Sequence, residues 1–178
     1  KYGAVITTRT TCKELIMNGK KVVGALIVDN ENGDSIKVKA KSTIMAAGVW
    51  TDPLYEKFGI KPGYAVRMSK GAHIVVPGSA IKSETGVIIK TDVSVLFIIP
   101  WGDKWIVGTT DTDYDESRED PLATSEDVTY IINQANRVLE PKLRRDQVIG
   151  VFAGLRPLVS TDPDSPTTKL SREHVVDS

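Results

Sequence analysis

The sequence predicts an α+β protein built mainly on antiparallel sheets, and three observations carry that expectation. Apolar and β-branched residues recur between turn signals over residues 2 to 45, five more apolar runs follow from Val66 with no helix between them, and one amphipathic stretch opens at Thr124. Strands in uninterrupted series pair antiparallel, because parallel neighbours need a long crossover.

In order, Ala4 to Thr8 reads as a first strand and Cys12 to Met17 as a second. Asn18-Gly19 tolerates the positive φ angles of a tight hairpin turn. Val22 to Val28 continues the chain, Asn32-Gly33 turns it again, and Ile36 to Ala40 alternates strictly, implying one buried and one wet face. Together these strands form a β-meander. Thr43-Ile44-Met45-Ala46-Ala47-Gly48 does not alternate, so it reads as a strand buried on both faces. It leads into Asp52-Pro53, where Asp52 suits a helix N-cap and Pro53 a first helical position.

The later strands are Val66 to Met68, His73 to Val76, Val87 to Ile89, Val93 to Pro100 and Trp105 to Val107. Thr112 to Pro121 is acidic and polar, a surface loop. Thr124 with Asp127 resembles a capping box, and Val128, Ile131, Ile132, Ala135, Val138 and Leu139 then fall at helical spacing until Pro141. A last strand, Val148 to Ala153, precedes Gly154-Leu155-Arg156-Pro157-Leu158.

Composition narrows the function classes. The chain has 178 residues, 26% of them charged and 40% hydrophobic, with 23 basic against 23 acidic side chains. Balanced, interspersed charge argues against nucleic-acid binding by phosphate neutralisation and against a polybasic membrane tether. Cys12 is the single cysteine, so no internal disulfide forms. The composition sets the expectation of a soluble, intracellular protein. Lys1 opens the chain without a methionine or polar lead-in, which reads as a piece of something longer.

Four stretches hold residues able to carry chemistry, and each has a plain alternative. Ala46-Ala47-Gly48-Val49-Trp50 could admit a flat ligand or simply turn a tight corner. Lys70-Gly71-Ala72-His73 offers a cation and a titratable imidazole, or a structural histidine. Gly108-Thr109-Thr110-Asp111 could orient a polar ligand or close a turn through side-chain to backbone bonds. Arg156 on an apolar stretch needs an anion, which a ligand or an internal acid could supply. The sequence contains no G-x-G-x-x-G, no P-loop, no metal-ligand spacing and no G-x-S-x-G.

Taken in order, these strings resemble the FAD-dependent glycerol-3-phosphate dehydrogenases. They are Arg9-Thr10 with Glu14-Leu15, Ala46 to Asp52, Lys70 to Pro77, Ile99-Pro100-Trp101, Gly108 to Asp111 and Gly154 to Leu158. The resemblance implies part of a Rossmann-type FAD domain, including the meander and the buried strand, plus a substrate domain with a mainly antiparallel sheet and covering helix, of the D-amino-acid oxidase class. Residues 1–66 would be the later part of the FAD domain, 67–147 the substrate domain, and 148–178 a segment returning toward the flavin.

The resemblance also implies FAD as cofactor, glycerol 3-phosphate as substrate and a quinone as onward electron acceptor. His73 and Arg156 match catalytic positions, while Arg172, Lys70 and Thr109 match the substrate's surroundings. Thr11, Cys12, Gly48 and Trp50 would lie along the FAD. The resemblance leaves room for a homodimer and for peripheral attachment of the whole enzyme to the inner face of the membrane. The family's dinucleotide fingerprint would precede Lys1 and its G-K-x-T-T segment would follow Ser178, so this stretch is expected to be inactive alone. Two alternatives stay open at this stage: a related amine or amino-acid oxidase, and a non-catalytic β-rich binding module using the sheet from Val66 to Val107.

Overall fold

A computed structural model describes residues 3–92, 94–160, 170 and 175–176. The chain divides into two compact units. One holds the chain up to Ala47 with Pro53–Lys61, and the other holds Gly48–Asp52 and the chain from Pro62.

In the first unit, β1 (Thr10–Asn18), β2 (Lys21–Asp29) and β3 (Ser35–Lys39) form the expected antiparallel meander. Its turns fall at the two Asn-Gly dipeptides, with Gly19 at φ 61° and Gly33 at φ 82°. Two expectations fail here. Neither 4–8 nor 43–48 forms a strand, and Val5, Ile6 and Ile44 are each close to nine-tenths exposed. A strand buried on both faces takes its hydrogen bonds and its cover from neighbours, and no described strand lies beside either segment. Strand β3 forms as expected, but all five of its residues are exposed, Ile36 and Val38 included, so among the described residues its expected buried face has no cover.

Helix α1 (Thr51–Phe58) starts one residue before the expected cap. Asp52 sits inside its first turn, and its carboxylate accepts the Val66 backbone N–H at 3.0 Å.

The second unit is a six-stranded sheet centred on β4 (Ala65–Pro77), which joins the two runs expected at Val66 and His73 into one strand. Strands β5 (Val87–Lys90), β6 (Val95–Trp101) and β7 (Lys104–Gly108) follow as hairpins, with β7 against the C-terminal half of β4. The short β8 (Thr112–Tyr114) pairs with its N-terminal half. Along the other edge β9 (Gly150–Ser160) pairs antiparallel from Val75↔Gly150 to Ala65↔Ser160. The Gly-Leu-Arg-Pro-Leu string therefore lies inside a strand rather than after one. Pro157 is tolerated because β9 is an edge, where a missing N–H breaks no second ladder.

Helix α2 (Ser125–Ala135) begins at the expected capping box: the Thr124 hydroxyl accepts from Asp127 N–H, and the Asp127 carboxylate accepts from Thr124 N–H. It stops well short of Pro141. Asn136 binds the Leu143 N–H at 2.7 Å and the Leu143 carbonyl at 2.9 Å, which diverts the chain. Val128, Ile131 and Ala135 of α2 pack on Ala72, Ile74, Val76, Ile98 and Val107 to form the core. Among the described residues no helix is long and apolar enough to cross a membrane.

Candidate active site

Successive residues of β4 point to opposite faces of the sheet. Ala72, Ile74 and Val76 are buried in the core with α2, and Lys70 shares that face. Ser69, Gly71 and His73 take the other face, where β9 sets Arg156, Gly154 and Phe152 opposite them in register. This second face collects the residues able to do chemistry.

Glycine shapes it. Gly71 and Gly154 are paired, so the sheet there has a floor without side chains. The Arg156 guanidinium lies over Gly71: a Cβ at that position would stand 2.6 Å from Arg156 Cζ, closer than real Cβ contacts come. A Cβ at Gly154 would meet nothing within 4 Å, so the floor beside the guanidinium is open. Gly108 does for His73 what Gly71 does for Arg156, since a Cβ there would fall 2.8 Å from the imidazole Cγ and from the Ala72 carbonyl oxygen. The imidazole also stacks on Phe152, with centroids 4.8 Å apart and planes 8° from parallel.

A small network aims Arg156. Its Nη2 donates to the Thr109 hydroxyl at 2.7 Å, and its Nη1 to the Thr110 carbonyl at 3.3 Å. The Thr109 hydroxyl donates in turn to that carbonyl at 3.0 Å. Nearby, the Ser69 hydroxyl donates to the Asp111 carboxylate. His73 Nδ1 is buried with no hydrogen-bond partner among the described residues. Burial, and then the Arg156 cation, push the His73 pKa below its ordinary value. The lowered pKa favours the neutral imidazole near pH 7, and no described residue engages Nδ1.

Of the residues singled out in the sequence, His73, Arg156 and Thr109 come together. Lys70 lies on the same strand but the opposite face, its ammonium 2.8 Å from the Asp127 carboxylate and 3.2 Å from the Leu122 carbonyl. Burial works to raise the Asp127 pKa, but the Lys70 hydrogen bond and those from Thr124 outweigh it and hold the carboxyl below its usual range. The stability this carboxylate contributes is present above the unfolded carboxylate pKa and is lost as pH falls through the lowered folded value. Lys70 thus ties the start of α2 to β4. Lys70→Met is expected to destabilise the protein by about 3 kcal/mol, because Asp127 stays buried without its cation. Denaturant unfolding measures this; unchanged stability with a raised KM would instead make Lys70 a substrate ligand.

Gly48 and Trp50 form a short 3-10 turn against β4 and β9. Gly48 has φ 58°, a conformation that favours glycine. Thr11 and Cys12 belong to the first unit, where the Thr11 hydroxyl donates to Asn30 and the Cys12 carbonyl accepts from Lys57. Arg172 lies outside the described residues. Sequence reasoning missed Phe152 and the individual roles of Gly71, Gly108 and Thr110. The recurrence of glycine beside each functional side chain was the available signal.

Comparison with known proteins shows the family of the chain. Residues 1–174 match the family described as FAD dependent oxidoreductase, so the chain belongs to that family. It is 43% identical over 175 residues to glycerol-3-phosphate dehydrogenase 2 of Mycobacterium tuberculosis, covering 98% of this chain and 30% of that protein. It is 33% identical over 180 residues to D-erythritol 1-phosphate dehydrogenase of Brucella abortus, covering 98% of this chain and 35% of that one. Among solved structures, glycerol-3-phosphate dehydrogenase from Bacillus halodurans complexed with FAD superposes with a TM-score of 0.75 at 37% identity, covering 86% of this chain and 32% of that one. The chain thus spans about a third of the length of these relatives.

The residues present suit one end of the cofactor's site. An open glycine floor and a braced guanidinium beside it leave room for a flat ring system against the sheet.

Proposed function

We propose that the protein carrying this chain oxidises glycerol 3-phosphate at its secondary hydroxyl to give dihydroxyacetone phosphate. The observation that carries this reading is that His73, its pKa lowered by burial and then by the Arg156 charge, lies on the same glycine-floored face as the braced Arg156. Oxidation of the alcohol removes a hydride from carbon and a proton from oxygen. His73 takes the proton, and Arg156 steadies the negative charge that grows on the oxygen. FAD, when bound, supplies the hydride acceptor. Thr109 keeps the guanidinium in place, and Lys70, already paired with Asp127, acts on the fold more than on the phosphate.

By resemblance Arg172 holds the phosphate, Gly48 and Trp50 border the flavin, and the backbone at Thr11 and Cys12 lies along the rest of the FAD. The same reading carries a quinone as onward acceptor, a homodimer and a cytoplasmic protein attached peripherally to the membrane's inner face.

Anaerobic titration of the FAD-bound protein tests the substrate. Glycerol 3-phosphate is expected to bleach the oxidised flavin in full, while glycerol and D-alanine leave it oxidised. D-erythritol 1-phosphate belongs in the same titration, given the Brucella abortus relative. Bleaching by D-alanine and not by glycerol 3-phosphate would replace this reading with an amino-acid oxidase.

A further inference from the structure

Between the pairs His73↔Gly108 and Lys70↔Thr112, the chain facing β4 carries one residue more than β4 does. That extra residue makes a bulge. Within it Thr110 N–H donates to the Ala72 carbonyl at 3.4 Å, but the return bond departs from the backbone pattern: Ala72 N–H donates to the Thr110 hydroxyl at 2.9 Å. A hydrogen-bonded antiparallel pair ordinarily exchanges both bonds through backbone groups. Here the hydroxyl takes the carbonyl's part in the ladder. The Thr110 carbonyl is thereby released, and it accepts from Arg156 Nη1 and from the Thr109 hydroxyl. Thr110 and Thr109 are both buried, so water does not compete for these groups.

We propose that Thr110 is the positioning residue for Arg156: its hydroxyl replaces its own carbonyl in the β4 ladder and frees that carbonyl to hold the guanidinium. Thr110 touches neither substrate nor cofactor in this account and acts through Arg156. The kinetic arm of its test rests on the substrate reading above, whereas the structural arm does not.

Thr110→Val keeps the side chain's shape and removes the acceptor, while Thr110→Ser keeps the acceptor. In a crystal structure of FAD-bound Thr110→Val, Ala72 N–H is expected on the carbonyl of residue 110 and the guanidinium off Thr109. With glycerol 3-phosphate, kcat/KM is expected to fall about 10- to 100-fold, the scale of a lost hydrogen bond to a charged group, and Thr110→Ser restores most of it. In an Arg156→Lys background the valine substitution should cost no more than about twofold, because the group it positions is gone. A guanidinium unmoved from Thr109 and Thr110 in the valine structure overturns the proposal, as does an equal loss in the Arg156→Lys background. If the unsubstituted protein oxidises no glycerol 3-phosphate, the substrate reading fails and the structural arm alone decides. Should the valine chain not fold, Thr110→Ala is read in the same ways.

Discussion

Gly71→Ala is expected to lower kcat/KM for glycerol 3-phosphate by about 10²- to 10³-fold while the protein stays folded, the loss seen when one donor aimed at a developing oxyanion is removed. The effect follows from space, not from backbone freedom. Gly71 lies within regular β4, and its φ is not positive, so alanine suits the backbone there. What alanine cannot share is the volume held by the guanidinium, whose Cζ would be 2.6 Å from the new methyl. Arg156 must leave the Thr109 hydroxyl and the Thr110 carbonyl, and it then no longer stands over the floor. Steady-state kinetics with circular dichroism separates this from unfolding. Near-normal turnover would mean that the guanidinium does its work elsewhere.

His73→Asn should cost about 10² to 10⁴ in rate, the usual contribution of a positioned general base. The pH profile gives a sharper readout. Burial first, and the Arg156 charge second, hold the His73 pKa below its ordinary value, so kcat/KM should rise through an inflection below about pH 6.5 and stay level above it. His73→Asn should abolish that inflection. Arg156→Gln should move it upward yet leave it below the ordinary imidazole value, because burial remains after the charge is gone. The same shift governs stability. A histidine held neutral in the fold contributes stability that is complete above its unfolded pKa and lost as pH falls through the lowered folded value. The protein should therefore unfold more easily in mild acid, and His73→Asn should flatten that dependence.

Local signals in the sequence carried far, and non-local ones did not. Thr124 and Asp127 sit three residues apart and satisfy each other's backbone, so the capping box was legible. Both Asn-Gly turns were legible for the same reason. The run Thr43 to Gly48 failed because its apolar composition states a need for neighbours without supplying them, and Ile44 is left exposed. Helix α2 ended early because Asn136 reaches forward to Leu143, a contact no helical periodicity encodes.

At the site, the strings holding His73, Thr109 and Arg156 were visible, but their interlock was not. Gly71 is explained by Arg156, and Gly108 by His73 together with the Ala72 carbonyl, and each pair is far apart in sequence. Lys70, three residues before His73 on one strand, faces the other way, toward Asp127, a pairing that its place in the string does not reveal.

His73 and Arg156 are expected to meet the reacting oxygen on the open face of the Gly71–Gly154 floor. A crystal structure of the FAD-bound protein with dihydroxyacetone phosphate tests it most directly. The account predicts the ketone oxygen within hydrogen-bonding distance of both side chains, with the Arg156–Thr109 contact kept. A well-ordered product lying away from that face, with both side chains uninvolved, would contradict it.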